Sequence, residues 1–247
     1  MDYLQPILVK KLKDNKFILG IIPARGGSKR LPRKNILKLG KKPLIQYTIE
    51  AAQKSKLLDD FIFSTEDSEI RNIAENIIGR EILYKRPKSI ADDKTRNSET
   101  LIHALNWFEK QYSKKVYAVM LLQPTTPFRT YIQIDEAIKK FFSFNKNVLA
   151  SVSGPYKKRD VRIKKIDKKG NLVNYKYKDK NEGYYQLNAS IYIVKKNYLM
   201  DKKKFVSESM IPYVMDSVSS IDIDNELDFN LSKVVMKTLK EKKNEKV

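Results

Sequence analysis

Five cationic side chains, Arg25, Lys29, Arg30, Arg33 and Lys34, crowd into the string Ile21-Ile22-Pro23-Ala24-Arg25-Gly26-Gly27-Ser28-Lys29-Arg30-Leu31-Pro32-Arg33-Lys34-Asn35. An apolar run ends at a proline, and two adjacent glycines follow. Without a Cβ, Gly26 and Gly27 can adopt positive φ and turn successive N–H groups toward one anion. With Ser28 between them, the cations would neutralise about four charges of a triphosphate, an arginine gripping two oxygens at once. The spacing is neither that of a Walker A loop nor that of the dinucleotide fingerprint, so this is a different phosphate loop. Near the other end, Ile221-Asp222-Ile223-Asp224-Asn225-Glu226-Leu227-Asp228 supplies paired carboxylates. Strand alternation puts Asp222 and Asp224 on one face, where they repel unless a cation sits between them. Mg²⁺ (or Mn²⁺) suits such a pair, because it prefers carboxylate and phosphate oxygens. The pattern alone leaves open that Asp224 caps the next helix while Asp222 is solvated.

Three further stretches could reach the same place. Met120 to Thr130, with Gln123, Thr125 and Thr126 after an apolar run, offers amide and hydroxyl groups suited to a polyhydroxylated ligand. Arg86-Pro87-Lys88-Ser89-Ile90-Ala91-Asp92-Asp93 presents an arginine and backbone groups on a loop, and Tyr184 to Ile193 carries Tyr185, Asn188 and Tyr192. The single histidine, His103, falls inside an amphipathic helix, and there is no cysteine. Thiol nucleophiles, disulfides and a zinc site are thereby excluded.

These residues need a frame that brings distant loops together. Strand-like and helical segments alternate, which predicts an α/β, Rossmann-like domain with a mostly parallel central sheet and helices on both faces. Strands are expected at 16–22, 61–65, 82–84, 116–122, 148–152, 187–194 and 221–223. Helices are expected at 43–54, 69–78, about 98–112, 131–142 and from 225 toward 240. In such sheets ligands lie beyond the carboxyl ends of the strands. The loops 23–42, 65–68, 86–97, 123–130 and 222–226 all follow strands and can share one crevice. Residues 1–16 read as an N-terminal extension and 17–247 as one domain. Within it 155–187, basic and centred on Lys169-Gly170-Asn171, reads as an inserted β-hairpin.

The formal charge of +21 invites a nucleic-acid partner, yet ten arginines leave forty of the fifty cations as lysine, whereas base-edge readers favour arginine. From Tyr156 to Lys180 eleven Lys or Arg stand against three Asp, and six lysines against two glutamates follow from Lys233. No apolar run approaches 18 residues, so the expectation is a cytoplasmic protein with no membrane contact.

The first string resembles the N-terminal signature of the acylneuraminate cytidylyltransferases, enzymes that make CMP-activated nonulosonic acids. Four more segments are similar in the family's order. These are the Arg86-Pro87 segment, Leu121-Leu122-Gln123-Pro124-Thr125-Thr126-Pro127 with Thr126 replacing Ser, the Tyr184 segment with Ala189-Ser190 replacing Gly-Ala and Gln186 where many members have Arg, and the Ile221-Asp222-Ile223-Asp224 run. The resemblance implies CTP and a nonulosonic acid as substrates and pyrophosphate as by-product. It assigns nucleotide binding to Ala24, Arg25, Gly26, Gly27, Ser28, Lys29, Lys34, Asn35, Arg86 and Ala91. Sugar contacts fall on Gln123, Thr125, Tyr185, Asn188 and Tyr192. Arg25, Lys34, Asp222 and Asp224 are the implied catalytic group, with the two aspartates holding Mg²⁺. The insert would be a dimerisation arm of a homodimer, carrying Lys157, Lys158, Arg159 and Arg162 toward the partner's site. A 3-deoxy-manno-octulosonate cytidylyltransferase and, in another class, a basic nucleic-acid-binding protein remain the rival readings.

Overall fold

The computed structural model describes residues 16–156, 164–166, 172–174 and 184–244, with side chains described outside 155–184 and up to 241. All but the last residue of the extension 1–16, the cations at 157, 158, 159 and 162, and the turn at 169–171 lie outside these residues.

The chain begins with β1 (Phe17–Pro23), then a 3₁₀ turn at Lys34–Ile36, β2 (Lys38–Leu39), β3 (Lys42–Pro43), α1 (Leu44–Lys54), β4 (Asp60–Ser64) and α2 (Ser68–Ile78). A second 3₁₀ turn at Lys88–Ile90 leads to α3 (Asn97–Tyr112), β5 (Val116–Leu122), α4 (Tyr131–Phe142) and β6 (Val148–Tyr156). The remainder is β7 (Lys164–Ile166), β8 (Leu172–Asn174), β9 (Tyr184–Lys195), α5 (Lys196–Lys202), β10 (Ile211–Met215) and α6 (Glu226–Asn244). Six strands form one sheet in the order β10-β6-β9-β5-β1-β4, in which β9 alone runs antiparallel to both its neighbours. β1 pairs in parallel with β4 and β5 and so lies inside the sheet, its mouth flanked by parallel neighbours.

Alternation along the inner strands builds two apolar layers. Ile18 and Ile22 of β1 face one side with Ile45 and Ile49 of α1, Ile70 of α2 and Ile134 of α4. Leu19 and Ile21 face the other with Leu101 and Leu105 of α3 and Leu199 of α5. Both faces being covered explains why β1 and β5 read as continuous apolar runs. A smaller cluster, Leu39, Leu44, Ile223 and Phe229, seats α6 against the first loop region.

Two expected strands are absent. Residues 82–84 are irregular, because their backbone partners are side chains of α2: Arg71 Nη1 donates to the carbonyls of Ile82 (2.8 Å) and Tyr84 (3.1 Å), and Glu75 Oε1 accepts from the Ile82 N–H (3.0 Å). Residues 221–223 pair with no strand; the Ile223 N–H donates to the Thr125 carbonyl at 2.8 Å. β10 and α5 escaped the sequence reading. β10 contains Pro212, tolerated because the strand lies on the sheet edge. β7 and β8 form an antiparallel ladder within the insert, Lys164 opposite Asn174.

β6 and β9 pair irregularly, with register shifts between Ala150 and Val152 and between Ser153 and Tyr156. Beside the first shift Ala189 holds φ 59°, a left-handed conformation that its Cβ disfavours. The similar family strand carries glycine there. Replacing Ala189 with glycine relieves about 1–2 kcal/mol of steric cost and returns about 0.4–1 kcal/mol of unfolded-chain entropy. Ala189→Gly should therefore raise Tm by up to about 3 °C in a thermal melt. An unchanged or lower Tm would show that the irregular pairing absorbs the conformation without strain.

Candidate functional site

At the carboxyl ends of β1, β4 and β5 lies a cleft of about 540 Å³. Its walls come from segments 23–35, 86–97, 123–125 and 222–224. Segment 65–68, expected on the rim, sits behind the wall and braces it. Eleven residues singled out in the sequence share this space: Arg25, Ser28, Lys29, Arg30, Lys34 and Asn35 on one side, Arg86, Gln123 and Thr125 around the back, and Asp222 and Asp224 opposite.

The glycine loop works differently from expectation. Neither Gly26 nor Gly27 has positive φ. Gly26 is demanded by space, since a Cβ there would lie 2.4 Å from Asp67 Oδ2, whereas a Cβ on Gly27 would meet nothing within 4 Å. The Gly26 N–H donates to Glu66 Oε1 at 2.8 Å, so a carboxylate of this chain already occupies it. Both glycines line, with Ala91, a shallow depression beside the cleft. Ala24 is fully buried, its N–H donating to the Ser64 carbonyl, and serves to anchor the loop to β4. Arg33 is not a free cation: its guanidinium grips Asp67 (2.6 and 3.2 Å) and Glu69. That grip, led by the Asp67 hydrogen bond, raises the Arg33 pKa. Asn35 Nδ2 donates to the Arg25 carbonyl at 2.9 Å and shapes the loop from within.

The remaining cations form two groups. Arg25 Nη1 and Lys29 Nζ each lie 2.6 Å from an oxygen of Asp93. Lys34 Nζ donates to the Ile223 carbonyl at 2.8 Å and lies 3.4 Å from Asp224 Oδ1, while Arg30 Nη2 lies 3.4 Å from Asp224 Oδ2. Arg86 is 7 % exposed and its Nε donates to the Ile90 carbonyl at 2.7 Å, so it holds the 86–90 turn as well as facing the cleft. Burial lowers its pKa.

The acidic pair is well separated in environment. Asp224 is spared the capping role, because Asn225 Oδ1 accepts from the Asp228 N–H (3.1 Å) and Asp228 Oδ2 accepts from the N–H groups of Asp224 and Asn225. Asp222 is more deeply set, and its Oδ1 is buried with no hydrogen-bond partner. Burial, then the charge of Asp224, pushes its pKa up, while Thr125 and Lys34 oppose the shift. An unpartnered carboxylate oxygen near a second carboxylate, on residues that line a cleft rich in cationic side chains, fits a hard divalent cation. Among the described residues no group of three or more acidic, His or Cys side chains could hold a metal. Two carboxylates would suffice only for a cation such as Mg²⁺, which keeps waters and takes other ligands from substrate phosphates.

Three expected sugar contacts do not line the cleft. Asn188 is 5 % exposed, with Oδ1 accepting from Ser151 Oγ (2.5 Å) and Nδ2 donating to Ser220 Oγ (2.9 Å). Its amide is spent on joining β6, β9 and the 216–220 turn. Tyr192 is buried edge-on against Phe205, near enough to Asp222 for that carboxylate to add to the rise that burial gives its phenol pKa. Tyr185 is half exposed on β9. Thr126 also leaves the rim: it is fully buried and donates to the Gln123 carbonyl.

The residue that sequence reasoning passed over is Arg129. It is 3 % exposed and its guanidinium donates to Thr126 Oγ1 (2.8 Å), the Ser190 carbonyl (2.7 Å), Thr48 Oγ1 (2.7 Å) and the Gln123 carbonyl (3.3 Å). Burial lowers its pKa to about 9. No carboxylate is among these partners, so Arg129 is held by oxygen dipoles and fixes the loop carrying Gln123 and Thr125. The signal was an arginine two residues after a proline turn that had no ligand role to fill.

A family described as cytidylyltransferase matches residues 19–243. An N-acylneuraminate cytidylyltransferase of Escherichia coli O18:K1:H7 is 36 % identical over 233 residues, 92 % of this chain and 53 % of that protein. A CMP-N,N'-diacetyllegionaminic acid synthase of Legionella pneumophila is 37 % identical over 226 residues, 89 % of this chain and 96 % of that protein. The chain thus spans about half the length of the first relative and nearly all of the second. In fold it resembles a CMP:2-keto-3-deoxy-manno-octonic acid synthetase solved with CTP, with TM-score 0.65, 13 % identity, and 90 % of this chain and 99 % of that one covered.

Asp222 makes stability depend on pH. Its raised pKa means that the stability it contributes is fully present below the unfolded carboxylate value and is lost as pH rises through the folded value. Asp222→Asn should therefore melt higher than the wild type at pH 7, the gap closing as pH falls toward 4, and should lose at least roughly 100-fold in turnover. A variant that melts lower at pH 7 would refute the assigned desolvation.

Proposed function

The chain belongs to the cytidylyltransferase family, and on that premise we propose that it transfers CMP from CTP to the anomeric hydroxyl of a nonulosonic acid, releasing pyrophosphate. The observation that carries this reading is the meeting of Arg25, Lys29 and Lys34 with Asp222 and Asp224 across one cleft, although Lys34 and Asp224 are 190 positions apart. The names of the Escherichia and Legionella relatives supply the substrate class.

The sugar oxygen attacks the α-phosphorus, a P–O bond forms, and the bond from that phosphorus to the bridging oxygen breaks, so pyrophosphate leaves in line. Arg25 and Lys29, with the Ser28 hydroxyl, gather the β- and γ-phosphates and neutralise the charge that grows on the leaving group. Lys34, one turn of chain later, bridges this end to the acidic pair. One of Asp222 and Asp224 accepts the hydroxyl proton, Asp222 having a carboxylate oxygen with no partner in the fold. Asp222 and Asp224 together would hold Mg²⁺, which when bound supplies positive charge at the α-phosphate. Gln123 and Thr125 meet the sugar's hydroxyls from the back of the cleft. The ladder of β7 and β8 supports a hairpin within 155–187; we read that segment as the arm of a homodimer, and the protein as a cytoplasmic one that supplies glycan synthesis.

The test is an assay of CTP and Mg²⁺ against N-acetylneuraminic, N,N'-diacetyllegionaminic, pseudaminic and 3-deoxy-manno-octulosonic acids, reading CMP-sugar by mass spectrometry. One of the first three should turn over, and Arg25→Ala and Asp224→Ala should each lower kcat at least roughly 100-fold. Turnover confined to the octulosonic acid, or a variant keeping a tenth of normal activity, would sink the substrate class or the assigned role respectively. Tight duplex DNA binding that survives 200 mM salt would favour the nucleic-acid rival.

A further inference from the structure

Arg25 and Lys29, the two cations aimed at the outer phosphates, are both engaged by a single carboxylate, that of Asp93, at 2.6 Å each. Asp93 belongs to a different wall of the cleft, the segment after Arg86, which Asp92 folds into a turn by accepting from the Lys94 and Thr95 N–H groups. Both pairs are partly open to water, with Asp93 36 % and Arg25 35 % exposed, so they can be exchanged for another anion without stripping a buried charge. The Gly26 N–H is likewise occupied by Glu66. In this state Arg25, Lys29 and the Gly26 N–H are all engaged by carboxylates of the chain itself.

We propose that Asp93 is an internal surrogate for the nucleotide's phosphates: it neutralises Arg25 and Lys29 until a polyphosphate displaces it, and so sets the affinity and selectivity of the cleft. Four cations stand within ten positions of one another on this wall even with Arg33 withdrawn, and their mutual repulsion would splay an unliganded loop. A carboxylate between two of them holds the loop in the shape that the ligand needs. It also imposes a threshold. A ligand with one negative charge exchanges one pairing for another of similar strength, whereas a polyphosphate brings enough charge to take both cations together. The surrogate therefore disfavours occupation by simple anions while leaving a triphosphate able to enter.

The proposal rests on the cleft being a CTP site, and its test separates the two claims. Isothermal titration would measure CTP and, separately, pyrophosphate binding to wild type and Asp93→Asn, with Glu241→Gln as the control for removing one negative charge from the exposed end of α6. Two partly exposed ion pairs correspond to about a two- to tenfold change in affinity. Asp93→Asn should bind both ligands tighter by about that factor, with a folded melt, and Glu241→Gln should match the wild type. Affinity unchanged or weakened in Asp93→Asn, or an equal gain in Glu241→Gln, overturns the surrogate role. Failure of the wild type to bind CTP would instead refute the proposed function, while pyrophosphate binding would still read the role of Asp93.

Discussion

One ammonium group joins the two ends of this fold. Lys34 Nζ, on a side chain only 13 % exposed, is held by the carbonyl of Ile223, 189 positions along the chain, and by the carboxylate of Asp224. The carbonyl contact is the shielded one; Asp224 is 43 % exposed, so solvent screens the ion pair and its value lies in position more than in energy. It also does what a strand could not. Residues 221–223 have no ladder partner, and their placement depends on the Ile223 N–H reaching Thr125 and on Lys34 receiving the Ile223 carbonyl. The glycine loop, the 123–126 loop and the acidic pair are thus referenced to one residue, Ile223. Asn225 and Asp228 then cap α6 reciprocally, which leaves Asp224 directed to the cleft instead of consumed by its helix.

Arg129 carries the comparable burden behind the cleft. A fully buried guanidinium without a carboxylate is expensive to desolvate, and its Nε finds no partner. What offsets this is geometry: a planar fork meets oxygens from α1, from the 123–126 turn and from β9, three elements that no other described side chain links in this way. A neutral side chain could fill the volume and leave those oxygens unmatched, which is why a charge sits where packing alone would favour an apolar residue.

Much of this was legible because periodicity reports layers well. β1, β5 and the helices that sandwich them follow from apolar runs and amphipathic stripes, and the loops after those strands were bound to converge. The failures share a cause. Residues 82–84 and 221–223 have strand-like composition, yet their backbone groups are satisfied by Arg71, Glu75, Lys34 and the Thr125 carbonyl, side-chain and loop partners invisible to a window of neighbouring residues. Asn188 shows the same limit at the site. Its place in a recognisable strand suggested a ligand, whereas its amide closes a network of serines between β6, β9 and a turn. Gly26 was picked out correctly but for another reason: the demand is room beside Asp67, not an unusual φ.

The cleft as a whole is far less basic than the loop that forms one of its walls. Arg25, Lys29, Arg30, Lys34 and Arg86 line it, against Asp92, Asp93, Asp222 and Asp224, which leaves one net positive charge where the loop alone suggested five. More telling than the sum is the segregation. Arg25 and Lys29 converge on Asp93 at one end, and Lys34 and Arg30 converge on Asp224 beside the orphaned Asp222 at the other. A ligand complementary to this pattern must be strongly anionic where the first group lies and must bring a cation, or a proton, to the second. Simple anions satisfy only the first demand and free cations only the second. A nucleoside triphosphate accompanied by a divalent ion meets both at once, and the distance in sequence between the two groups ensures that only the folded chain can pose the question.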